Sequence, residues 1–188
     1  MIFLIPINMP LIGNEEKDEV MKVLESSQLT NASIEGGHYT QKFQSSVKSF
    51  LNVKHVFAIN SGTSSLYAAL LSIGIKEGDE VLVPSFTFLA TANVVLLTGA
   101  KPVFVDIDMA HYTIDPNDLK NKISTRSKAV IPVHLFGHPA DMNKITEIAK
   151  KHDLRIIEDA SQSLGAKYHE RQTGSLSDIG CFSMYPSK

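Results

Sequence analysis

Cysteine is nearly absent from the sequence, tryptophan is missing altogether, and neither sign of charge is in large excess. Cys181 is the single cysteine of the 188 residues, so no disulfide can form within the chain. A chain without disulfides fits a reducing compartment, and we expect a cytoplasmic protein. The formal net charge of −2 argues against a surface that binds nucleic acid or an anionic membrane.

Long apolar runs are missing too. Residues 2–5 are apolar, but Pro6 interrupts them and no basic residue precedes them, so we expect neither a signal peptide nor a membrane span there. With 43% hydrophobic and 20% charged residues, the composition is that of an ordinary globular domain with one core.

Several common catalytic and nucleotide-binding motifs do not occur. The sequence contains no G-x-G-x-x-G after a predicted strand, no G-x-x-x-x-G-K-S/T and no G-x-S-x-G. Their absence disfavours dehydrogenases, P-loop NTPases and hydrolases with a nucleophile elbow. His134 and His138 are spaced like a metal-binding pair on a helix, but Gly137 and Pro139 disfavour a helix there. We therefore expect no metal site.

Residues 56–74 combine the patterns of a strand, a turn and a helix. The apolar run at residues 56–59 predicts a short strand that is covered on both faces. Asn-Ser-Gly-Thr follows at 60–63, and Leu66, Leu70 and Ile73 then recur at helical spacing before Gly74. The start of such a helix offers free N–H groups and a positive dipole end, which favour an anion such as phosphate. An ordinary N-cap would produce the same pattern.

Predicted strands and helices alternate along the rest of the chain. Strands are predicted at residues 80–84, 102–106, 129–134 and 154–159, with shorter ones at 166–168 and 180–183. One helix is predicted to begin after Asn14 as N-cap, and a second at about His38. Further helices are predicted over residues 85–98, over residues 116–122 after the N-cap Asp115, and after the N-cap Asp141. The alternation implies right-handed crossovers and an α/β fold with a mostly parallel sheet flanked by helices. A ligand of such a sheet lies beyond the carboxyl ends of its strands.

A carboxylate stands at the end of one predicted strand. Asp159 follows the apolar pair Ile156 and Ile157, and a carboxylate in that position needs a partner to offset the cost of leaving water. The partner could be a helix start or a nearby Lys or Arg, or it could be a cationic nitrogen of a ligand. Together with a phosphate cradle and aromatic residues at the same sheet edge, a cationic ligand nitrogen suggests pyridoxal phosphate. That cofactor also needs a lysine, and Lys188 follows the last predicted strand.

Five segments, which occur in the same order along the chain, make the sequence similar to the large domain of the DegT/DnrJ/EryC1/StrS family. These are the sugar-nucleotide aminotransferases of pyridoxal-phosphate fold type I. The five segments are residues 60–66 (NSGTSSL), 84–93 (PSFTFLATAN), 102–106 (PVFVD), 158–162 (EDASQ) and 181–183 (CFS). Family members continue into a smaller C-terminal domain beyond the lysine. The resemblance therefore implies that residues 1–188 comprise an N-terminal segment and the cofactor-binding large domain of a longer polypeptide. A chain that ended at Lys188 would have little or no transaminase activity.

The resemblance implies catalytic roles for two residues. Lys188 would bond covalently to the cofactor aldehyde and, once released, would move a proton between the substrate α-carbon and the cofactor. Asp159 would pair with the pyridine nitrogen and keep it protonated, so that the ring can take up electrons.

Cofactor binding is implied for a further set of residues. Gln162 would hydrogen-bond the ring hydroxyl, and Phe88 would stack on the ring, unless Phe88 is an ordinary core aromatic. The phosphate would be held by Gly62, Thr63 and Ser183, although Ser183 could instead be a simple turn or strand hydroxyl.

A reaction and its partners also follow from the resemblance. Relatives that remove a sugar hydroxyl carry histidine where Lys188 stands, so lysine favours transfer of an amino group, usually from glutamate, to a nucleotide-linked keto sugar. The complete protein is expected to be a homodimer, and His134 and the loop at residues 26–38 are candidates for substrate contact. Two alternatives stay open: a sugar-nucleotide dehydratase, and a truncated regulatory relative that binds the cofactor without turnover.

Overall fold

The computed structural model describes residues 9–188, so the apolar start at residues 2–5 lies outside the described residues. Within the described residues the chain forms two compact units, residues 9–58 and Ile59–Pro186, and Lys188 belongs to the second of them. Among the helices of residues 9–188, none combines the length and the apolar character that a membrane span requires.

The first unit contains helices α1 (Asn14–Ser26) and α2 (His38–Leu51), close to the predicted positions. Asn14 is not the N-cap of α1, as the sequence suggested. Gly13 takes that place, because the carboxylate of Glu16 in the first turn accepts the N–H of Gly13 at 2.6 Å. Glu19 of α1 forms an ion pair with Lys42 of α2 at 3.4 Å, which links the two helices.

The predicted apolar face of α1 has no cover within the described residues. Val20 and Leu24 are 58% and 54% exposed, and no residue of α1 is buried. Helical periodicity thus predicts the helix correctly, but it does not reveal what the helix packs against.

The strand predicted at residues 56–59 is wrong, because this stretch is irregular and makes no ladder pairing. Phe57 is 79% exposed, and the N–H of Ala58 donates to the side-chain oxygen of Gln44 at 2.9 Å instead of to a neighbouring strand. An apolar run forms a strand only where another strand lies beside it to pair with its backbone, and the described residues provide none here.

The second unit is built on a five-stranded parallel sheet. Its strands are β1 (Glu80–Pro84), β2 (Lys101–Val105), β3 (Ser127–Val130), β4 (Arg155–Asp159) and β7 (Ile179–Cys181), in the order β2-β1-β3-β4-β7. A small antiparallel hairpin, β5 (Lys167–Tyr168) and β6 (Arg171–Gln172), lies outside this sheet. The predicted mostly parallel sheet is confirmed.

Helices cover both faces of the sheet. They are α3 (Gly62–Ser72), α4 (Ala90–Leu97), α5 (Pro116–Lys122) and α6 (Met142–Lys151). Val81 and Val83 of β1 share one core with α3 and α4, whereas Leu82 between them joins a second core with α5 and α6. Successive side chains of a strand point to opposite faces of the sheet. A strand that is buried on both faces therefore has a continuous run of apolar residues in its sequence.

Two element boundaries differ from the prediction for visible reasons. The helix expected over residues 85–98 begins only at Ala90. The N–H of Ser85 donates to the carbonyl of Val105 at 2.8 Å and so prolongs the pairing of β1 with β2. The strand expected over 129–134 ends at Val130, shortly before Pro132, which has no N–H to donate to a ladder.

One buried carboxylate lies at the amino end of β1. Glu80 is 4% exposed, and its carboxylate accepts hydrogen bonds from the Ser124 hydroxyl and, at 2.6 Å, from the guanidinium of Arg126. It also forms an ion pair with Nζ of Lys101 at 3.7 Å. The Ser124 hydrogen bond, followed by that of Arg126, lowers the pKa of Glu80 below its ordinary value.

We therefore expect Glu80→Gln to destabilise the protein near neutral pH and to do so less as the pH falls. A carboxyl whose pKa is lowered on folding stabilises the fold above its unfolded pKa, and this stabilisation is lost as the pH falls through the folded pKa. Urea unfolding of both proteins between about pH 7 and pH 3 measures the difference in the free energy of unfolding. A difference that stays constant over this range would contradict the prediction, and Glu77→Gln in the preceding exposed turn is the control.

Candidate active site

The start of helix α3 lies against the ends of β4 and β7. Gly62, the first residue of α3, is buried, and a Cβ built on it would stand 2.9 Å from Cβ of Ser183 and 3.2 Å from Oγ of Ser161. The ends of β4 and β7 are joined by a hydrogen bond of 2.8 Å from the N–H of Ala160 to the carbonyl of Cys181. The structure thus brings together Gly62 and Ser183, two of the residues that the sequence assigned to one site.

Backbone donors at the start of α3 are available for an anion. The hydroxyl of Ser61 caps the helix by accepting the N–H of Ser64 at 3.1 Å, and the carbonyl of Ser61 accepts the N–H of Ser65 at 2.9 Å. A helix leaves its first N–H groups without helical partners, so those of Gly62 and Thr63 are the ones that point to a ligand or to water. Thr63 itself is exposed.

Asp159 ends β4 and is almost fully buried, with 5% of its surface exposed. Its Oδ2 accepts the hydroxyl of Thr91 at 2.9 Å, and its Oδ1 accepts the N–H of Ser161 at 3.2 Å. Within residues 9–188 it forms no ion pair with a Lys, Arg or His side chain. The salt-bridge alternative is therefore wrong for the described chain, and this buried carboxylate can still take up a cationic N–H group.

Gln162 and the turn after β3 are linked. The side-chain oxygen of Gln162 accepts the N–H of Phe136 at 3.0 Å, which leaves the amide NH₂ as the group that can donate to a ligand. Phe136 adopts a left-handed backbone conformation, with φ of 53°, and its side chain is 77% exposed. Sequence reasoning missed Phe136, because nothing in the local pattern predicts this conformation for an aromatic residue.

Phe88 is not a core aromatic. Phe88 is 69% exposed, and it lies in the connection between β1 and α4. This excludes the ordinary explanation for an apolar residue at that position and leaves the ring available to contact a ligand.

The segment that follows β7 carries the remaining predicted residues. The hydroxyl of Ser183 accepts the N–H of Tyr185 at 3.3 Å, and the N–H of Lys188 donates to the carbonyl of Tyr185 at 2.9 Å. Lys188 is exposed and ends a short turn on the carboxyl side of β7.

His134 is a structural residue, and the hypothesis that it contacts substrate is wrong. The side chain is fully buried. Its Nε2 lies 2.9 Å from Oε2 of Glu158, and its Nδ1 accepts the N–H of Ala140 at 3.1 Å. Because Nδ1 accepts, Nε2 carries the proton and donates to the carboxylate. Glu158 also accepts the N–H groups of Gly174 and Leu176, at 2.7 and 2.8 Å, so the pair fixes the loop before β7.

His138, four residues after His134, lies in different surroundings. His138 stacks on His111, with ring centroids 5.1 Å apart, rather than facing His134. Residues 9–188 contain no group of three or more His, Cys, Asp or Glu side chains that could hold a metal ion. Burial raises the pKa of the Cys181 thiol to about 12, so this cysteine stays protonated and is no nucleophile at neutral pH.

Gly62 offers a test of the close approach between α3 and β7. We expect Gly62→Ala to lower the free energy of unfolding by about 1–3 kcal/mol, because its methyl group would stand 2.9 Å from the Ser183 Cβ. Gly37→Ala is the matched control, since a Cβ there would meet only Asn31, at an ordinary 3.5 Å. Urea unfolding of both variants measures the effect, and equal stability of the two would contradict the proposed crowding.

These features together fit a phosphorylated heterocycle with a cationic ring nitrogen. The helix start offers N–H donors next to the Ser183 hydroxyl, the absence of a Cβ at Gly62 keeps this approach open, and Asp159 is a buried carboxylate without a cationic partner in residues 9–188. Pyridoxal phosphate has the matching groups: a phosphate, a ring hydroxyl and a pyridine nitrogen.

Comparison with known proteins agrees with this geometry. Residues 10–188 match the model of the DegT/DnrJ/EryC1/StrS aminotransferase family. The chain is 38% identical over 184 residues to GDP-perosamine synthase of Escherichia coli O157:H7, covering 98% of this chain and 50% of that protein. It is 46% identical over 160 residues to UDP-N-acetyl-3-dehydro-alpha-D-glucosamine 3-aminotransferase of Acidithiobacillus ferrooxidans, covering 85% and 43% of the two chains.

A solved structure is similar over the same region. The aminotransferase from Psychrobacter cryohalolentis superposes with a TM-score of 0.91 at 36% identity, covering 95% of this chain and 45% of that one. The chain spans about half the length of the curated relatives it matches, with 50% and 43% coverage in the two cases above.

Proposed function

The chain belongs to the DegT/DnrJ/EryC1/StrS aminotransferase family, and from this premise we propose that the complete protein is a pyridoxal-phosphate-dependent aminotransferase. It moves an amino group from glutamate to the keto group of a nucleotide-linked deoxysugar, for the biosynthesis of cell-surface polysaccharide or related sugars. One observation carries the proposal: the buried carboxylate of Asp159 lies at a strand end without a cationic partner in residues 9–188. It accepts the N–H of Ser161, and the hydroxyl of Ser161 lies close to Gly62 at the start of α3. The substrate class is supported by the names of two relatives, a GDP-perosamine synthase and a 3-aminotransferase of a UDP-linked keto sugar.

In this proposal the second unit holds the cofactor through groups at one sheet edge. The N–H groups of Gly62 and Thr63 and the hydroxyl of Ser183 bind the phosphate at the positive end of α3. The NH₂ group of Gln162 donates to the ring hydroxyl, since Phe136 already uses the amide oxygen. The exposed ring of Phe88 stacks on the heterocycle.

The proton chemistry is assigned to Asp159 and Lys188. When bound, pyridoxal phosphate supplies an electron-withdrawing ring that takes up the electron pair of a broken C–H bond. Asp159 holds a proton at the ring nitrogen through its carboxylate and so keeps the ring electron-poor. Nζ of Lys188 is the amine that would hold the cofactor covalently through its aldehyde carbon. The same amine, when free, would move a proton between the substrate α-carbon and the cofactor.

Four further features of the complete protein are part of the proposal. A homodimer is supported by apolar side chains that α4 and its neighbour β2 leave exposed: Leu96 at 59%, Leu97 at 63% and Phe104 at 51%. The single cysteine supports a cytoplasmic location. The net charge of −2 supports a partner other than nucleic acid. Glutamate as donor rests on the family resemblance.

The test is a product analysis with labelled donor. The complete protein is incubated with pyridoxal phosphate, [¹⁵N]glutamate and a 4-keto sugar nucleotide, and the nucleotide product is examined by mass spectrometry. The proposal predicts a labelled amino sugar and an equal amount of 2-oxoglutarate. A deoxygenated product without nitrogen would identify a dehydratase, and bound cofactor without any product would identify a non-catalytic binding protein.

A further inference from the structure

Thr91 is a buried hydroxyl that reaches the Asp159 carboxylate from a distant part of the chain. It lies in the first turn of α4, it is 0% exposed, and its Oγ1 is 2.9 Å from Oδ2 of Asp159, 68 residues away. A hydroxyl can donate or accept, but opposite an ionised carboxylate it must donate. The remaining side chains of α4 are apolar, apart from the exposed Asn93, so Thr91 is the polar group that this helix places in the core.

The hydrogen bond fixes the orientation of the carboxylate. Asp159 is held on Oδ2 by the hydroxyl and on Oδ1 by the N–H of Ser161, so rotation of the carboxylate about its terminal bond would break both contacts. A hydrogen bond to a charged group changes an equilibrium constant by roughly ten- to a hundredfold. Removal of the hydroxyl would therefore leave a buried carboxylate both less well satisfied and free to turn.

The same residue also links the two sides of the candidate site. The N–H of Thr91 donates to the carbonyl of Phe88 at 3.2 Å, while the hydroxyl of Thr91 holds Asp159. Phe88 is assigned to the face of the heterocycle and Asp159 to its ring nitrogen. One residue therefore sets the position of the stacking segment relative to the carboxylate.

We propose that Thr91 is a positioning residue that holds Asp159 in the orientation in which its carboxylate keeps the cofactor ring nitrogen protonated. This inference rests on the proposed function, since it assumes that pyridoxal phosphate is the ligand of the site.

The experiment compares Thr91→Val, which replaces the hydroxyl by a methyl group of similar size, with Thr91→Ser, which keeps the hydroxyl. In the complete protein, Thr91→Val is expected to raise the dissociation constant of pyridoxal phosphate about tenfold, and Thr91→Ser to change it by less than about threefold. With cofactor labelled by ¹⁵N in the ring, nuclear magnetic resonance is expected to show a shift towards the unprotonated nitrogen in Thr91→Val alone. A merely structural role of Thr91 would not move that resonance.

Thr98→Val is the matched control. Thr98 lies just after the same helix and uses its hydroxyl to bond the carbonyl of Val95 at 2.7 Å, away from Asp159. It is expected to leave both the affinity and the nitrogen resonance as in the unmodified protein. A nitrogen resonance of Thr91→Val that matches the unmodified protein would overturn the inference, as would a shift of the same size in Thr98→Val.

A double-mutant comparison covers the case in which Thr91→Val folds poorly. In the Asp159→Asn background the carboxylate is already gone, so Thr91→Ala is expected to lose most of its effect on cofactor affinity. An effect of Thr91→Ala that is equal in both backgrounds would also overturn the inference. Failure of the proposed function gives a different result, because the unmodified protein itself would then not bind pyridoxal phosphate.

Discussion

Asp159→Asn is expected to slow transamination by the complete protein about 100- to 10,000-fold at saturating substrate. Asparagine keeps the shape of the side chain. It carries no negative charge, however, so it cannot hold a proton at the cofactor ring nitrogen. The ring would then withdraw electrons less strongly, and breakage of the substrate C–H bond would slow.

Steady-state rates of purified Asp159→Asn, loaded with pyridoxal phosphate, measure this loss. Asp115→Asn is the matched control: Asp115 caps α5 through the N–H of Asn117, and asparagine caps a helix equally well. The control is expected to react at the unmodified rate. A fully active Asp159→Asn protein would show that the carboxylate does not act on the cofactor.

Lys188→Ala is expected to abolish covalent attachment of the cofactor and to lower the rate at least as much as Asp159→Asn, by about 100- to 10,000-fold or more. The exposed position of Lys188 in the turn after β7 leaves its amine accessible to a ligand at the sheet edge. Alanine removes both the nucleophile and the group that moves the proton. Arginine would keep the positive charge but neither function, because its guanidinium stays protonated.

Borohydride reduction followed by peptide mass spectrometry locates the attachment. The label is expected on the peptide that contains Lys188 in the unmodified protein and is expected to disappear in Lys188→Ala. Lys167→Ala, in the small hairpin outside the main sheet, is the control and keeps the label. A label on another lysine would show that Lys188 has a different role.

Elements with strong local signals were predicted well from the sequence. Strand β1, Glu80–Pro84, matches its predicted bounds because a continuous apolar run between turn residues is typical of a buried parallel strand. Helix α5, Pro116–Lys122, also matches, because Asp115 as cap and proline in the first turn are local signals.

Elements that depend on distant partners were predicted less well. Residues 56–59 have the composition of a strand, but the described chain provides no neighbour to pair with them. A helix was predicted to begin at Ser85, but the N–H of Ser85 is bound to the carbonyl of Val105 in β2. A pattern within one segment cannot reveal a hydrogen bond to another.

The same limit applies to the site. Asp159 could be found because it stands at the end of a predicted strand, after the apolar pair Ile156 and Ile157, and the structure confirms its burial. Its partner Thr91 could not be found, because their contact joins residues 68 positions apart. The available signal was that Thr91 is one of two polar residues, with Asn93, in a helix that is apolar at its other positions. His134, in contrast, stood at the predicted strand end but is buried against Glu158, so position along a strand alone did not predict its role.

The absorption spectrum of the complete protein, reconstituted with pyridoxal phosphate and recorded before and after addition of glutamate, tests the proposed function most directly. The lysine-bound cofactor is expected to give a band at the border of the visible and ultraviolet regions, absent in Lys188→Ala, and glutamate is expected to move it to shorter wavelength as the amino group is transferred. A protein that takes up no cofactor, or a band that glutamate leaves unchanged, would contradict an aminotransferase that uses glutamate.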